Sequence, residues 1–93
     1  MRQIHLLASG IVQGVGFRAF CIRVGTSLSL VGYAKNLENG SVEIIAEGKD
    51  EQLAQFIRRI NVKLTSGIHV KELRTLEDKK ISEASYSSFG VEY

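Results

Sequence analysis

The stretch Gln13-Gly14-Val15-Gly16-Phe17-Arg18 brings together what is needed to hold an anion. Glycines at a junction between strand and helix let successive backbone N–H groups turn inward, and the helix N-terminus adds partial positive charge. Arg18 contributes a permanent charge and a fork of donors that matches two phosphate oxygens. Other phosphate-binding patterns fit less well. The Gly-Lys-Ser/Thr of a Walker loop is missing, and Gly10, Gly14 and Gly16 are not spaced as G-x-G-x-x-G. A phosphate here would be held without the Lys and Mg²⁺ of those systems. Two glycines in a turn more often serve plain turn chemistry, so the loop alone does not decide the matter.

Few other residues have spacing suited to chemistry. Cys21 is the single cysteine, which excludes an intrachain disulfide and any multi-cysteine zinc or iron–sulfur site. It falls on an apolar helix face, where a free thiol acts as a small hydrophobe. His5 and His69 each alternate with apolar residues and lack a neighbouring carboxylate pattern, so neither a metal nor a cofactor is expected. Glu43 and Glu47 share the face of a strand opposite Val42 and are expected to meet solvent.

These groups must be positioned by a small framework. A chain of 93 residues with 44% hydrophobic and 24% charged positions fits one domain, over residues 1–93, with a modest core. From Ile4 to Val12 an uncharged alternation predicts a strand covered on both faces. Phe17, Phe20, Cys21, Val24 and Leu28 recur at helical spacing and predict a helix from about Phe17 to Leu28. Gly25 inside it costs about 1 kcal/mol relative to Ala, so its missing side chain is expected to serve a close contact or to be tolerated. Val31 to Leu37 and Ser41 to Glu47 predict two strands joined through Asn39-Gly40, a two-residue hairpin signal. Asp50 reads as the N-cap of a second helix with Leu53, Phe56, Ile57, Ile60 and Leu64 on its apolar stripe, ending near Thr65-Ser66-Gly67. Ile68, Val70 and Leu73 alternate imperfectly, Glu77 to Ser87 reads as an exposed loop, and Phe89, Val91 and Tyr93 close the chain at strand spacing. The order β-α-β-β-α-β plus a short C-terminal strand predicts an α+β, ferredoxin-like split-βαβ sandwich, an antiparallel sheet with two helices on one face. That fold hosts many functions and selects none.

Two blocks of sequence carry a family resemblance. Gly10-Ile11-Val12-Gln13-Gly14-Val15-Gly16-Phe17-Arg18 is similar to the G-x-V-Q-G-V-x-F-R signature of acylphosphatases. Gly32-Tyr33-Ala34-Lys35-Asn36 with Asn39-Gly40-Ser41-Val42-Glu43 resembles their second block, and the ending Tyr86 to Tyr93 resembles their usual close. The resemblance implies an enzyme, an acylphosphate phosphohydrolase that cleaves the carboxyl–phosphate bond of acyl phosphates. It implies Arg18 and Asn36 as catalytic residues and the backbone amides of Val15, Gly16, Phe17 and Arg18 around the substrate phosphate, with neither metal nor cofactor. Gly25 stands where the family usually has Ala, Ser29 where it has Gly, and Asn39 where it has Asp, which bears on helix packing and turns rather than on the site. An amide does not ionise at neutral pH, so Asn36 is expected to orient water rather than to act as a base. Lys35, beside it, is expected on the opposite face of the strand.

Composition narrows the partners. A net charge of +2 suits a small anionic ligand, and the basic residues Arg58, Arg59, Lys63, Lys79 and Lys80 are scattered rather than gathered into a nucleic-acid footprint. RNA-recognition domains share this element order, but they stack bases on a basic, aromatic third strand, whereas Ser41 to Glu47 is acidic and has no aromatic residue. No run approaches the roughly 20 apolar residues of a membrane span, and the N-terminus turns polar too soon for a secretory signal, so a cytoplasmic location is expected. Acylphosphatase-like domains also occur fused to larger carbamoyl-transferring proteins. A free-standing monomer acting on small acyl phosphates, with inorganic phosphate as product or inhibitor, is the simpler expectation.

Overall fold

The computed structural model describes residues 1–93. In chain order the elements are β1 (Arg2–Ile11), α1 (Phe17–Ser27), β2 (Val31–Asn36), β3 (Val42–Gly48), α2 (Asp50–Ile60), β4 (His69–Lys80) and β5 (Phe89–Glu92). They form one sheet in the order β4-β1-β3-β2-β5. Neighbours among β1 to β4 pair antiparallel, as expected. β5 instead pairs parallel to β2, so the whole sheet is mixed. The topology requires this: β4 and β5 occupy opposite edges, and a chain that leaves one edge and crosses beneath the sheet re-enters along the other edge running the opposite way.

Period-2 alternation decides which face is covered. Ile4, Leu6 and Ala8 of β1, Ala34 of β2, and Val42, Ile44 and Ala46 of β3 are buried against Phe17, Cys21 and Val24 of α1 and Leu53, Phe56 and Ile60 of α2. The other face of β1 is only half covered, with His5 and Leu7 partly exposed, which corrects the expectation of a strand buried on both sides. Cys21 lies fully in this core, where burial raises the pKa of its thiol and keeps it protonated. Gly25 does serve a close contact: a Cβ there would lie 2.5 Å from the Phe89 ring. Its absence lets β5 pack Phe89 onto α1 and beside Phe56, ring centroids 5.6 Å apart.

Several local expectations change for identifiable reasons. The β2–β3 hairpin is not closed by a two-residue turn. Leu37 N–H donates to the Ser41 carbonyl at 2.9 Å, leaving a three-residue loop, Glu38-Asn39-Gly40, with Gly40 at φ 91°. Asn39 Oδ1 stabilises this loop by accepting from Ser41 N–H and Oγ–H at 3.0 and 2.7 Å. Asp50 is the first residue of α2 rather than its cap; Lys49 takes the cap position, and Asp50 accepts from Arg2 Nε at 3.2 Å. Leu64 lies outside α2 and is 76% exposed, because the helix stops at Ile60. β4 extends to Lys80, so only Ile81 to Ser88 is loop. Its imperfect alternation reflects two register shifts against β1, between His5 and Leu6 and between Ser9 and Gly10.

The two carboxylates expected in solvent are both engaged on the open face of the sheet. Glu47 is 1% exposed, covered by the crossing loop; it accepts from Gln3 Nε2 at 2.6 Å and from the Ser85 and Tyr86 amides at 2.7 and 3.3 Å. Glu43 accepts from Tyr33 Oη at 2.9 Å and lies 2.8 Å from His5 Nε2. Burial pushes the Glu43 carboxyl up, but the hydrogen bonds from Tyr33 and His5, with the charge of Lys35, outweigh it and hold the carboxyl below its ordinary range. The missed signal is that loop residues far along the chain cover this face; alternation alone does not reveal it.

Helix α1 ends in a Schellman arrangement, Leu30 N–H to the Gly25 carbonyl at 2.9 Å and Ser29 N–H to Thr26 at 3.0 Å. Ser29 occupies the left-handed position, φ 61°, where glycine is favoured. Relief of a left-handed strain of roughly 1–2 kcal/mol, set against the greater unfolded-state freedom of glycine, roughly 0.5–1 kcal/mol, gives a net gain. Ser29→Gly is therefore expected to stabilise the domain by about 0.5–1 kcal/mol, seen as a higher urea midpoint at unchanged m.

Candidate active site

The backbone from Val12 to Gly16 turns sharply between β1 and α1. Gly14 and Gly16 take φ 74° and 83°, a region that side chains disfavour. A Cβ at either would meet nothing within 4 Å, so the glycines are required by backbone direction and not by crowding. Gly16 is the N-cap of α1. The first bond into the helix runs from Phe20 N–H to the Gly16 carbonyl at 3.0 Å, leaving the amides of Phe17, Arg18 and Ala19 without partners in the helix.

These groups open on a pocket of about 190 Å³ lined by Val12, Gly14, Gly16, Phe17, Arg18, Ala19, Asn36 and Val91. Arg18 and Asn36, 18 positions apart in sequence, thus share one cavity. Of the four loop residues expected around a phosphate, Gly16, Phe17 and Arg18 line it; Val15 lines the neighbouring groove. Arg18 makes no ion pair with any carboxylate. Its guanidinium lies 5.5 Å from the centroid of the Tyr93 ring, an arrangement that leaves the donors free for a ligand.

Asn36 ends β2, opposite Val42 in the ladder. Its Oδ1 is buried and accepts no hydrogen bond within the protein. A buried acceptor left unpaired costs about 1–3 kcal/mol and calls for an explanation; the residue that carries it also lines the cavity that holds Arg18, although the oxygen itself is closed to solvent. Lys35 lies near Glu43 on the open face, as strand alternation requires. His5 and His69 are not brought together: His5 pairs with Ile45 and Glu77, and His69 with Ile11.

One residue of the site was not singled out from the sequence. Gln13 Nε2 donates to the carbonyls of Leu37 and Ser41, at 2.7 and 2.8 Å. It ties the glycine loop to the start of the β2–β3 turn, next to Asn36. Its place inside the first signature block was the available signal, but nothing in the sequence says that its amide reaches another strand.

A split-βαβ sandwich whose glycine-rich turn, arginine without an ion pair and strand-end amide meet at one pocket defines a small α+β protein with a helix N-terminus open to a ligand. Comparison with known proteins fixes which one. The family model for Acylphosphatase matches residues 4–91. The chain is 44% identical over 91 residues to an acylphosphatase of Caldanaerobacter subterraneus, covering 97% of each chain. It is 40% identical over 93 residues to that of Archaeoglobus fulgidus, covering all of both. The crystal structure of acylphosphatase from Bacillus subtilis superimposes with a TM-score of 0.87 at 30% identity, again over both whole chains. The chain belongs to the acylphosphatase family.

Proposed function

We propose that the protein hydrolyses the carboxyl–phosphate bond of small acyl phosphates, with Arg18 and the loop amides holding the phosphate and Asn36 orienting the attacking water. The observation that carries this reading is that Asn36 lines the same pocket as Arg18. A phosphate on Arg18 and the amides of Val15, Gly16, Phe17 and Arg18 fills the cradle, and a water hydrogen-bonded to the Asn36 carboxamide is held beside it. That hydrogen bond turns a lone pair of the water toward phosphorus.

The water oxygen bonds to phosphorus as the bond from phosphorus to the acyl oxygen breaks, and the carboxylate leaves with that electron pair. A carboxylate is a stable leaving group, so no strong acid or covalent nucleophile is required. The water's proton passes to a phosphate oxygen of the substrate, since the neutral Asn36 amide cannot take it. What the protein supplies is position and positive charge, the larger share of catalysis in phosphoryl transfer.

Loss of acetyl phosphate or benzoyl phosphate in the presence of purified protein tests the reading directly. Inorganic phosphate is expected to compete with substrate, and EDTA to leave the rate unchanged because the charge comes from Arg18 and the amides. A rate lost in EDTA and restored by a divalent cation would overturn this scheme.

A further inference from the structure

A second cavity, of about 320 Å³, lies immediately beside the phosphate pocket. Its walls include Val15, Phe20, Val62 and Ile68, with the exposed residues Arg23, Thr65 and Ser66 also lining it. It shares two residues with the phosphate pocket, Gly16 and Ala19, so those two form the ridge between the cavities. Both are small and exposed, and no atom stands within 4 Å of where a Gly16 Cβ would be. The ridge is therefore low enough for a substituent on the phosphate to pass over it.

We propose that this groove is the acyl-group site and takes an apolar acyl group, a ring or branched chain, of the substrate whose phosphate sits on Arg18. The assignment rests on the acyl phosphate reading of the adjoining pocket. Its exposed lining surface is mainly apolar, as such a group requires, with Arg23, Thr65 and Ser66 as its polar members. The outer wall is also pre-formed. Thr65 and Ile68 exchange two backbone hydrogen bonds, each of 2.8 Å, and Lys63 Nζ donates to the Val70 carbonyl. Leu64 and Ser66 are held left-handed, both at φ 51°, a strain that persists only where the surroundings impose it and that gathers at ligand clamps. A rigid wall spares the ordering cost of binding.

The other exit from the phosphate pocket is less suitable. The cavity beyond Val91 is lined by Ser85, Ser87, Ser88 and Glu92 together with Tyr33 and Tyr86, and it touches the phosphate pocket through Val91 alone. Its surface is mainly polar despite the two rings, so it suits an apolar group less well.

Steady-state kinetics with acetyl phosphate, whose methyl group does not reach the groove, and benzoyl phosphate, whose ring does, test the proposal. Unaltered protein is expected to show a KM for benzoyl phosphate about tenfold below that for acetyl phosphate, from the apolar area covered. Thr65→Trp, an exposed position where the indole plugs the groove, and Phe20→Ala, which strips one wall, are each expected to erase most of that difference. The KM for acetyl phosphate should stay within about twofold, which also reports that each variant is folded. Equal shifts for both substrates, no shift for either, or an unaltered protein that prefers acetyl phosphate would overturn the groove assignment while leaving the phosphate site standing. Failure of the unaltered protein to hydrolyse either substrate would overturn both.

Discussion

Arg18→Ala is expected to lower kcat by at least about a thousandfold, the scale on which an arginine that neutralises a transferring phosphoryl group acts. The same substitution should weaken inorganic phosphate as a competitor, because the proposed scheme has Arg18 contact the phosphate before and during the reaction. Its fold should survive. The side chain is half-buried, joins no ion pair, and loses only its contact with the Tyr93 ring, worth about 0.5–1 kcal/mol at an exposed site. Arg18→Lys should recover part of the phosphate binding and little of kcat, since a point charge cannot reproduce the planar fork. Titration of phosphate by calorimetry beside kinetics on acetyl phosphate checks both statements. An Arg18→Ala protein that turns over within about tenfold of the original would remove Arg18 from the mechanism.

Asn36→Ala should separate rate from binding. In the proposed scheme the carboxamide touches the water and not the phosphate, so kcat is expected to fall about a hundredfold to a thousandfold, the cost of a misplaced nucleophile or a lost transition-state donor. KM and phosphate affinity should move by less than about threefold. The substitution also removes the buried acceptor that has no protein partner, so urea unfolding should show Asn36→Ala at least as stable as the original, a signature of a residue kept for chemistry. A large rise in KM with kcat preserved would place Asn36 in substrate binding instead.

Much of this was legible in the chain itself. The first strand, both helices and the hairpin strands follow from periodicity, because Ile4, Leu6 and Ala8 alternate strictly and Phe17, Cys21 and Val24 keep helical spacing. The sharp turn at Gly14 and Gly16 follows from turn chemistry. What escaped is long-range. The burial of Glu47 depends on amides 38 and 39 residues away, and the clasp of Gln13 on carbonyls 24 and 28 residues away. Leu64 escaped for a local reason: it sits at helical spacing after Ile60, yet the chain has already turned left-handed there. Composition sees a hydrophobe in register; only backbone direction shows it exposed. Asn36 stood out through family resemblance and not through spacing, since nothing about one asparagine at a strand end marks an unsatisfied acceptor.

The buried Glu47 carboxylate gives the far edge of the sheet its own cooperativity. Ser85 and Tyr86 belong to a segment without regular secondary structure, yet their amides end on a carboxylate closed off from water. To swing this segment and β5 away, the protein must strip that carboxylate of two donors at once. Opening is therefore a single event rather than a fraying from one end, and solvent deuterium should reach both amides together and late, in the time regime of strands rather than of loops. Val91, on the wall of the pocket that holds Arg18, belongs to β5, which follows that segment directly, so this wall stays in place for as long as the carboxylate keeps its donors.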